Sequence, residues 1–191
     1  MHRAAALAWL RAHEAGPLDP LERAMVADAI VFINSHPDGL VRSCLTGHLT
    51  GSSWILNPAR THTVLVLHRK LDRWLNPGGH ADGDPDLLAV ALREAREESG
   101  LTVRAPAATL FDFDRHWIPE RPTTPGHWHY DFRFLLEADP AESLQISSES
   151  KDLRWFDLAE VPKLNSSESM ARLLRKTAAL QKKGAPLPER L

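Results

Sequence analysis

Cysteine is almost missing from this chain. Cys44 is the single one among 191 residues, which excludes an internal disulfide and any cysteine-based metal motif. It leaves packing as that residue's role and is compatible with a reducing compartment. Long apolar runs are missing too, since no stretch approaches the roughly 20 residues needed to span a membrane. The run AAALAWL after Arg3 has only seven residues, and Arg11, His13 and Glu14 soon interrupt it with charge. An amphipathic helix fits it better than a secretory signal. Charge of one sign is not in excess: 23 Lys and Arg against 25 Asp and Glu leave a net charge of −2. That excludes a broad nucleic-acid footprint or a membrane-surface binder. Internal repeats and low-complexity segments are likewise absent. The expectation is a cytoplasmic protein with no membrane and no nucleic-acid polymer as partner.

What is present is enough apolar residue for a core. A 43% hydrophobic and 25% charged composition suits one soluble domain with a small appendage. Residues 2–14 and about 20–35 read as two helices, broken by Gly16-Pro17 and Pro20. Leu21, Met25, Val26, Ala29, Ile30 and Ile33 form the stripe of the second. Two such helices cannot bury themselves, so they must cover the main domain or a second subunit, and a homodimer is compatible with them. A helix-turn-helix reader would need a basic recognition face, which they lack.

From Gly47 the pattern turns to strands: His48–Leu56, then Thr61–His68, with Asn57-Pro58 marking the turn. After a central helix, Thr102-Val103 and Thr109–Phe113 suggest further strand. His129–Leu136 is the clearest, with Tyr130, Phe132, Phe134 and Leu136 on one face and His129, Asp131 and Arg133 on the other. Asp152–Phe156 is a last strand, followed by a turn near Pro162 and a helix from about Ser167 to Lys183. Asp114–Gly126 reads as a long proline-rich loop. These elements predict an α/β fold with a mixed sheet between helical layers.

The central helix carries the chemistry. In Gly78–Leu101, Glu94, Glu97 and Glu98 crowd the last turns before Gly100. Carboxylates three and four residues apart repel, and the C-terminal end of a helix disfavours negative charge. A divalent cation such as Mg²⁺ or Mn²⁺ resolves both conflicts. A solvated mixed-charge face, with Arg93 and Arg96 among the glutamates, accounts for the same short run. Asp84 can cap a helix beginning at Pro85, with Leu88, Ala91, Leu92 and Ala95 as its buried stripe and the glutamates facing away from it. Gly100 supplies a left-handed stop. Ahead of the helix, Asn76-Pro77-Gly78-Gly79 reads as a loop whose glycines let backbone approach a ligand.

The wider spacing decides between those readings. It resembles the Nudix hydrolase signature, G-x5-E-x7-R-E-U-x-E-E-x-G-U with U a bulky aliphatic residue. Gly79 opens it, Arg93-Glu94 and Glu97-Glu98 fall at the required distances, and Gly100-Leu101 closes it. Ala95 stands at the first aliphatic position. The first glutamate falls on Pro85, so Arg93 loses its usual carboxylate partner, for which Asp82, Asp84 or Asp86 are the substitutes at hand.

The resemblance spans about Gly47 to Leu164. It implies a Nudix-type α/β/α sandwich with a mixed sheet over residues 46–184, a helical extension over 1–45 packing on it, and a tail from 185 to 191. It also implies hydrolysis of a small-molecule diphosphate linked to another moiety, commonly a nucleoside diphosphate derivative. Glu94, Glu97 and Glu98 would hold Mg²⁺ or Mn²⁺, with Arg93 orienting a carboxylate. Glu94 or Glu149, the latter in Ser147–Ser150, would be the general base.

Gly78, Gly79, His80 and Trp74 are the substrate-side candidates. Ten histidines are many for this length, and His68, His80, His127 and His129 near Asp131 raise Zn²⁺ as another ion, against ordinary hydrogen-bonded histidine. Trp117 in the proline-rich segment is a further aromatic able to stack on a base. Two other classes stay open. A weakened Nudix domain acting as a nucleotide sensor has Pro85 as its motive. A diphosphate isomerase on the same scaffold would need a catalytic cysteine, and Cys44 lies outside any matching motif.

Overall fold

The computed structural model describes residues 2–182 and Gly184. The expected tail over 185–191 lies outside them. In chain order the elements are α1 (His2–Glu14), α2 (Pro20–Ser35), β1 (Gly47–Leu56), β2 (His62–His68), β3 (Arg73–Leu75), β4 (Gly78–His80), α3 (Leu87–Ser99), β5 (Leu110–Ile118), β6 (His127–Glu137), β7 (Ser150–Asp157), α4 (Val161–Leu164) and α5 (Glu168–Lys182). The strand order of the mixed sheet is β3-β2-β1-β6-β5, with β4 joined to β1 and β7 to β2. This is an α/β fold with helices flanking a sheet, as expected. The chain forms two compact units, and several elements contribute to both.

The first unit comprises Met1–Ser52, Gly78–Ala91 and Thr109–Phe134. Asp19 accepts the Glu22 amide hydrogen and Pro20 opens α2, so that helix starts where its sequence says it should. Met25, Val26, Ala29, Phe32 and Ile33 are buried, whereas Leu21 of the expected stripe is exposed. The helices are tied to β5 by polar groups as well as apolar ones. The Glu22 carboxylate accepts from His13 Nε2 at 2.7 Å and from the Phe113 amide at 3.0 Å, and His13 Nδ1 lies 3.1 Å from the Leu110 carbonyl. Trp9 packs edge-on against Phe134.

β5 and β6 pair antiparallel from Leu110↔Phe134 to Ile118↔His127. The proline-rich segment therefore begins as strand over 114–118, and only 119–126 form the turn. Alternation carries β5 through Asp112, Asp114 and His116 until Pro119, which cannot donate to the ladder, ends it.

The second unit comprises Ser53–Pro77, Leu92–Ala108 and Leu135–Leu191. β2 pairs β7 along its length, from His62↔Asp157 to His68↔Ser150, and it also pairs β3 through Val66↔Leu75. Buried Trp54 donates its indole N–H to Thr177 Oγ1 of α5 at 2.9 Å. Thr102-Val103 is not strand. Arg104 beside it exchanges two backbone hydrogen bonds with Glu137 as an isolated bridge. The expected turn near Pro162 is the short helix α4.

Candidate active site

α3 begins at Leu87, two residues later than the Asp84-Pro85 start expected from sequence. Asp84 instead accepts from the Asp86 amide at 2.9 Å, and Asp86 accepts from the Ala89 amide at 3.0 Å, so the second aspartate caps the first turn. Pro85 therefore precedes the helix and does not open it. The buried residues are Leu87, Val90, Ala91 and Ala95, with Leu88 and Leu92 only half covered. The buried stripe is thus turned by about one position from the one that spacing suggests. Gly100 ends the helix at φ 71°, as expected.

Within the second unit, the three glutamates of α3 occupy different environments. Glu98 is 8% exposed, a position that extends the buried stripe through Ala91 and Ala95 rather than facing away from it. Side-chain exposure is 18% at Glu94 and 63% at Glu97. Arg93 donates to Glu94 Oε1 at 2.8 Å and reaches Glu97 Oε1 at 3.9 Å. The neighbouring carboxylate is thus its closer partner, not the one a turn away. Of the other expected residues in this unit, Glu149 is exposed in the loop before β7, where its carbonyl accepts from the Arg69 amide. Trp74 packs edge-on against Phe156 at 4.7 Å, and its carbonyl accepts from Asn165. His68 accepts from the Lys70 and Leu71 amides, which gives it a turn-capping role.

Within the first unit, Gly78 and Gly79 form strand rather than loop. Gly79 pairs with Gly51 and Gly78 with Ser52 across β1. A Cβ on Gly78 would stand 2.1 Å from Ser52 Oγ, so it is the β1 strand that requires glycine at this position. His80, opposite Thr50, closes β4. The aspartates near Pro85 have partners of their own: Arg42 binds Asp82 in a two-pronged ion pair at 2.6 and 2.5 Å.

The same unit contains a polar sheet face that the sequence reading touched only in part. β1 contributes His48, Thr50 and Ser52. β6 contributes His127, His129, Asp131 and Arg133, and β5 contributes Asp112, Asp114 and His116. Period-two alternation places each set on one face of its strand. His48 Nε2 lies 3.1 Å from His129 Nε2, and two residues on, Thr50 Oγ1 and Ser52 Oγ donate to Asp131 Oδ1 at 2.7 and 2.6 Å. Arg133 is buried among Asp131 at 2.7 Å, Asp114 at 3.1 Å and Asp112 at 3.4 Å. Burial opposes its charge, but the carboxylates of Asp114, Asp131 and Asp112 outweigh that and hold the guanidinium above its ordinary range. Burial pushes His80 down to about 4 and His129 down to about 2, reinforced for His80 by Arg42 and His48 and for His129 by His116 and His80. Both rings are neutral at physiological pH. The signal for this face was visible as alternating polar residues in two strands with apolar partners. What it lacked was a rule telling buried polar faces from solvent-facing ones.

The NUDIX domain model matches residues 48–177, about two thirds of the sequence. The chain belongs to the NUDIX family. Membership makes it a hydrolase acting on phosphoric anhydride bonds. The NUDIX chain is also similar to the bis(5'-nucleosyl)-tetraphosphatase [asymmetrical] of Caenorhabditis elegans, 27% identical over 112 residues, which are 56% of this chain and 74% of that one. Among solved structures, a C. elegans Ap4A hydrolase binary complex superposes with a TM-score of 0.55 at 20% identity, covering 71% of this chain and 98% of the other. A NUDIX-family hydrolase from Clostridium perfringens gives 0.53 at 22%, covering 70% and 97%. At such identities these structures speak for the fold alone. Among the described residues, no helix is long and apolar enough to cross a membrane.

Proposed function

We propose that this NUDIX chain is a divalent-cation-dependent pyrophosphohydrolase acting on a nucleoside polyphosphate or a related nucleoside diphosphate derivative. The observation that carries the reading is the glutamate set of α3, held at signature spacing with Glu98 drawn into the buried side of the helix. Similarity to nucleosyl tetraphosphatases supports the nucleotide part.

The donor chemistry suits the cation. Three carboxylates within two turns offer hard oxygen donors, which match Mg²⁺ or Mn²⁺ and disfavour softer ions. Glu94, Glu97 and Glu98 would hold it, with Glu98 the anchor because a covered carboxylate is held in place. When bound, such an ion neutralises charge on diphosphate oxygens and makes water more acidic. The chain's own groups do the rest. Arg93 holds the Glu94 carboxylate in one orientation through its 2.8 Å hydrogen bond. Glu94, or Glu149 from the loop before β7, accepts the proton of the attacking water at a carboxylate oxygen. Gly78 and Gly79 shape the segment ahead of the helix, and His80 and Trp74 are the substrate-side candidates.

Turnover decides it. Wild type and Glu98→Gln would be assayed in parallel with Mg²⁺ and Mn²⁺ on dinucleoside polyphosphates, nucleoside triphosphates, nucleotide sugars, ADP-ribose and prenyl diphosphates. The expected result is hydrolysis of a nucleotide substrate by wild type. In the folded mutant, that rate falls by more than the roughly 10- to 100-fold that loss of an outer-shell partner costs a metal site. A folded wild type that turns over nothing on the panel sinks the reading. Pro85 then becomes the leading reason, and a nucleotide-binding sensor takes its place.

A further inference from the structure

Imidazoles converge at one end of the polar face in the first unit. His48 of β1, His80 of β4 and His129 of β6 each offer a ring nitrogen, and these nitrogens all lie within 4.8 Å of one another. The rings of His48 and His80, and those of His80 and His129, are 5.0 Å apart between centroids. His127 completes the group, with Nε2 3.3 Å from His129 Nε2 and a ring 4.7 Å from that of His48. Three different strands supply these side chains, so register brings them together, not a local sequence motif.

Proton bookkeeping makes the cluster awkward as ordinary hydrogen-bonded histidine. The Pro125 carbonyl can only accept, so the 2.8 Å contact to His127 Nδ1 places a proton on that nitrogen. The tautomer with that proton at Nδ1 carries its lone pair at Nε2, aimed at His129 Nε2. His48 Nε2 aims at the same His129 nitrogen from 3.1 Å. A ring nitrogen offers one proton or one lone pair, not both. Either a single His129 proton is shared between two acceptors, or two lone pairs face each other. A cation at the centre resolves this by accepting the lone pairs together. It would also leave His127 donating its outer N–H to a backbone carbonyl, as metal-ligating histidines usually do.

The geometry points to a second metal site in this chain, a zinc-class centre held by the ring nitrogens of His48, His80 and His129, with His127 Nε2 beside the fourth position. The donors are all borderline nitrogens, which select Zn²⁺, Co²⁺ or Ni²⁺ over Mg²⁺. Bonds of about 2.0 Å in a tetrahedron set ligand nitrogens about 3.3 Å apart, and the nitrogens here lie within 4.8 Å of one another, so binding draws them closer together. The site uses none of the α3 glutamates. It stands whether or not the hydrolase reading does.

The test reads the ion rather than turnover. Full-length chain is dialysed against chelator, then titrated with Zn²⁺ in competition with a chromophoric zinc chelator while millimolar Mg²⁺ is present. X-ray absorption at the zinc edge comes next. The expected result is one equivalent of Zn²⁺ retained, with a nitrogen-dominated shell at about 2.0 Å. His129→Gln and His48→Gln weaken binding by about tenfold or more, whereas Glu98→Gln leaves it in place. Circular dichroism reports whether each variant folds, and if the histidine variants do not, the ligand shell of the wild type decides alone. Failure of folded wild type to hold Zn²⁺ against the chelator overturns the proposal. So does an oxygen-dominated shell, or loss of the ion in Glu98→Gln with retention in His129→Gln.

Discussion

At the scale of single residues, burial separates groups that the sequence presents as equals. Glu94, Glu97 and Glu98 look alike in a string of letters, yet their exposures run from mostly open to almost closed. A closed carboxylate has few rotamers left and so makes a better-defined ligand, which is why Glu98 is the mutation of choice. Cys44 illustrates the same effect on a group with no assigned chemistry. It is buried, and burial pushes its thiol above the ordinary 9.0. The thiolate is the reactive form. Iodoacetamide is therefore expected to label the folded chain far more slowly than the urea-unfolded chain at neutral pH, with a folded-state rate still climbing beyond pH 9. Equal rates in the two states would show that the thiol is open. The fold favours the neutral thiol, so its contribution to stability is complete below pH 9.0 and is lost as pH rises above it.

At the scale of elements, the short strand β4 is the instructive case. Its two glycines look like a ligand-cradling loop, but Gly78 lies so close to Ser52 that any side chain collides with the β1 backbone and hydroxyl. Ser52 in turn donates to buried Asp131, which also receives Thr50 and Arg133. Displacing Ser52 therefore disturbs a buried polar network as well as a strand pair. Gly78→Ala is expected to cost about 1–3 kcal/mol, the usual penalty of overpacking, read as a lower urea midpoint without substrate present. An unchanged midpoint would mean that β4 can shift freely off β1.

At the scale of the molecule, a buried carboxylate helps tie the N-terminal helices to β5 within the first unit. Glu22 is fully buried and collects the His13 ring from α1 and the Phe113 amide from β5. Removing it leaves two buried donors without that acceptor. Glu22→Ala should lose about 3 kcal/mol or more in urea denaturation. Glu22→Gln, which keeps an acceptor oxygen, should lose less. If alanine costs no more than glutamine, the Glu22 carboxylate is not what holds the helices to β5.

Much of this was written locally in the chain. Helix α1 and helix α2 carry their stripes and stops within a few residues of each other, and periodicity at 3.6 or 2.0 reports them directly. The NUDIX signature is local as well, because its glutamates sit on one helix and its Gly100 stop needs only its own φ. Shorter or compensating features escaped. Asp86 outcompetes Asp84 as cap of α3, a difference of two residues between equivalent aspartates, and tertiary packing, not spacing, decides that Glu98 lies on the covered side. β3 and β4 have three residues each, too few for any period to register. The histidine cluster was the least legible of all. His48, His80 and His129 are spread over 82 residues of chain, and strand register decides which of ten histidines meet. The sequence by itself determined the family, the helices and the acidic helix end, since each rests on neighbours along the chain. Tertiary structure alone decided which polar residues are buried and which imidazoles converge, because both depend on pairings between strands that no local spacing encodes.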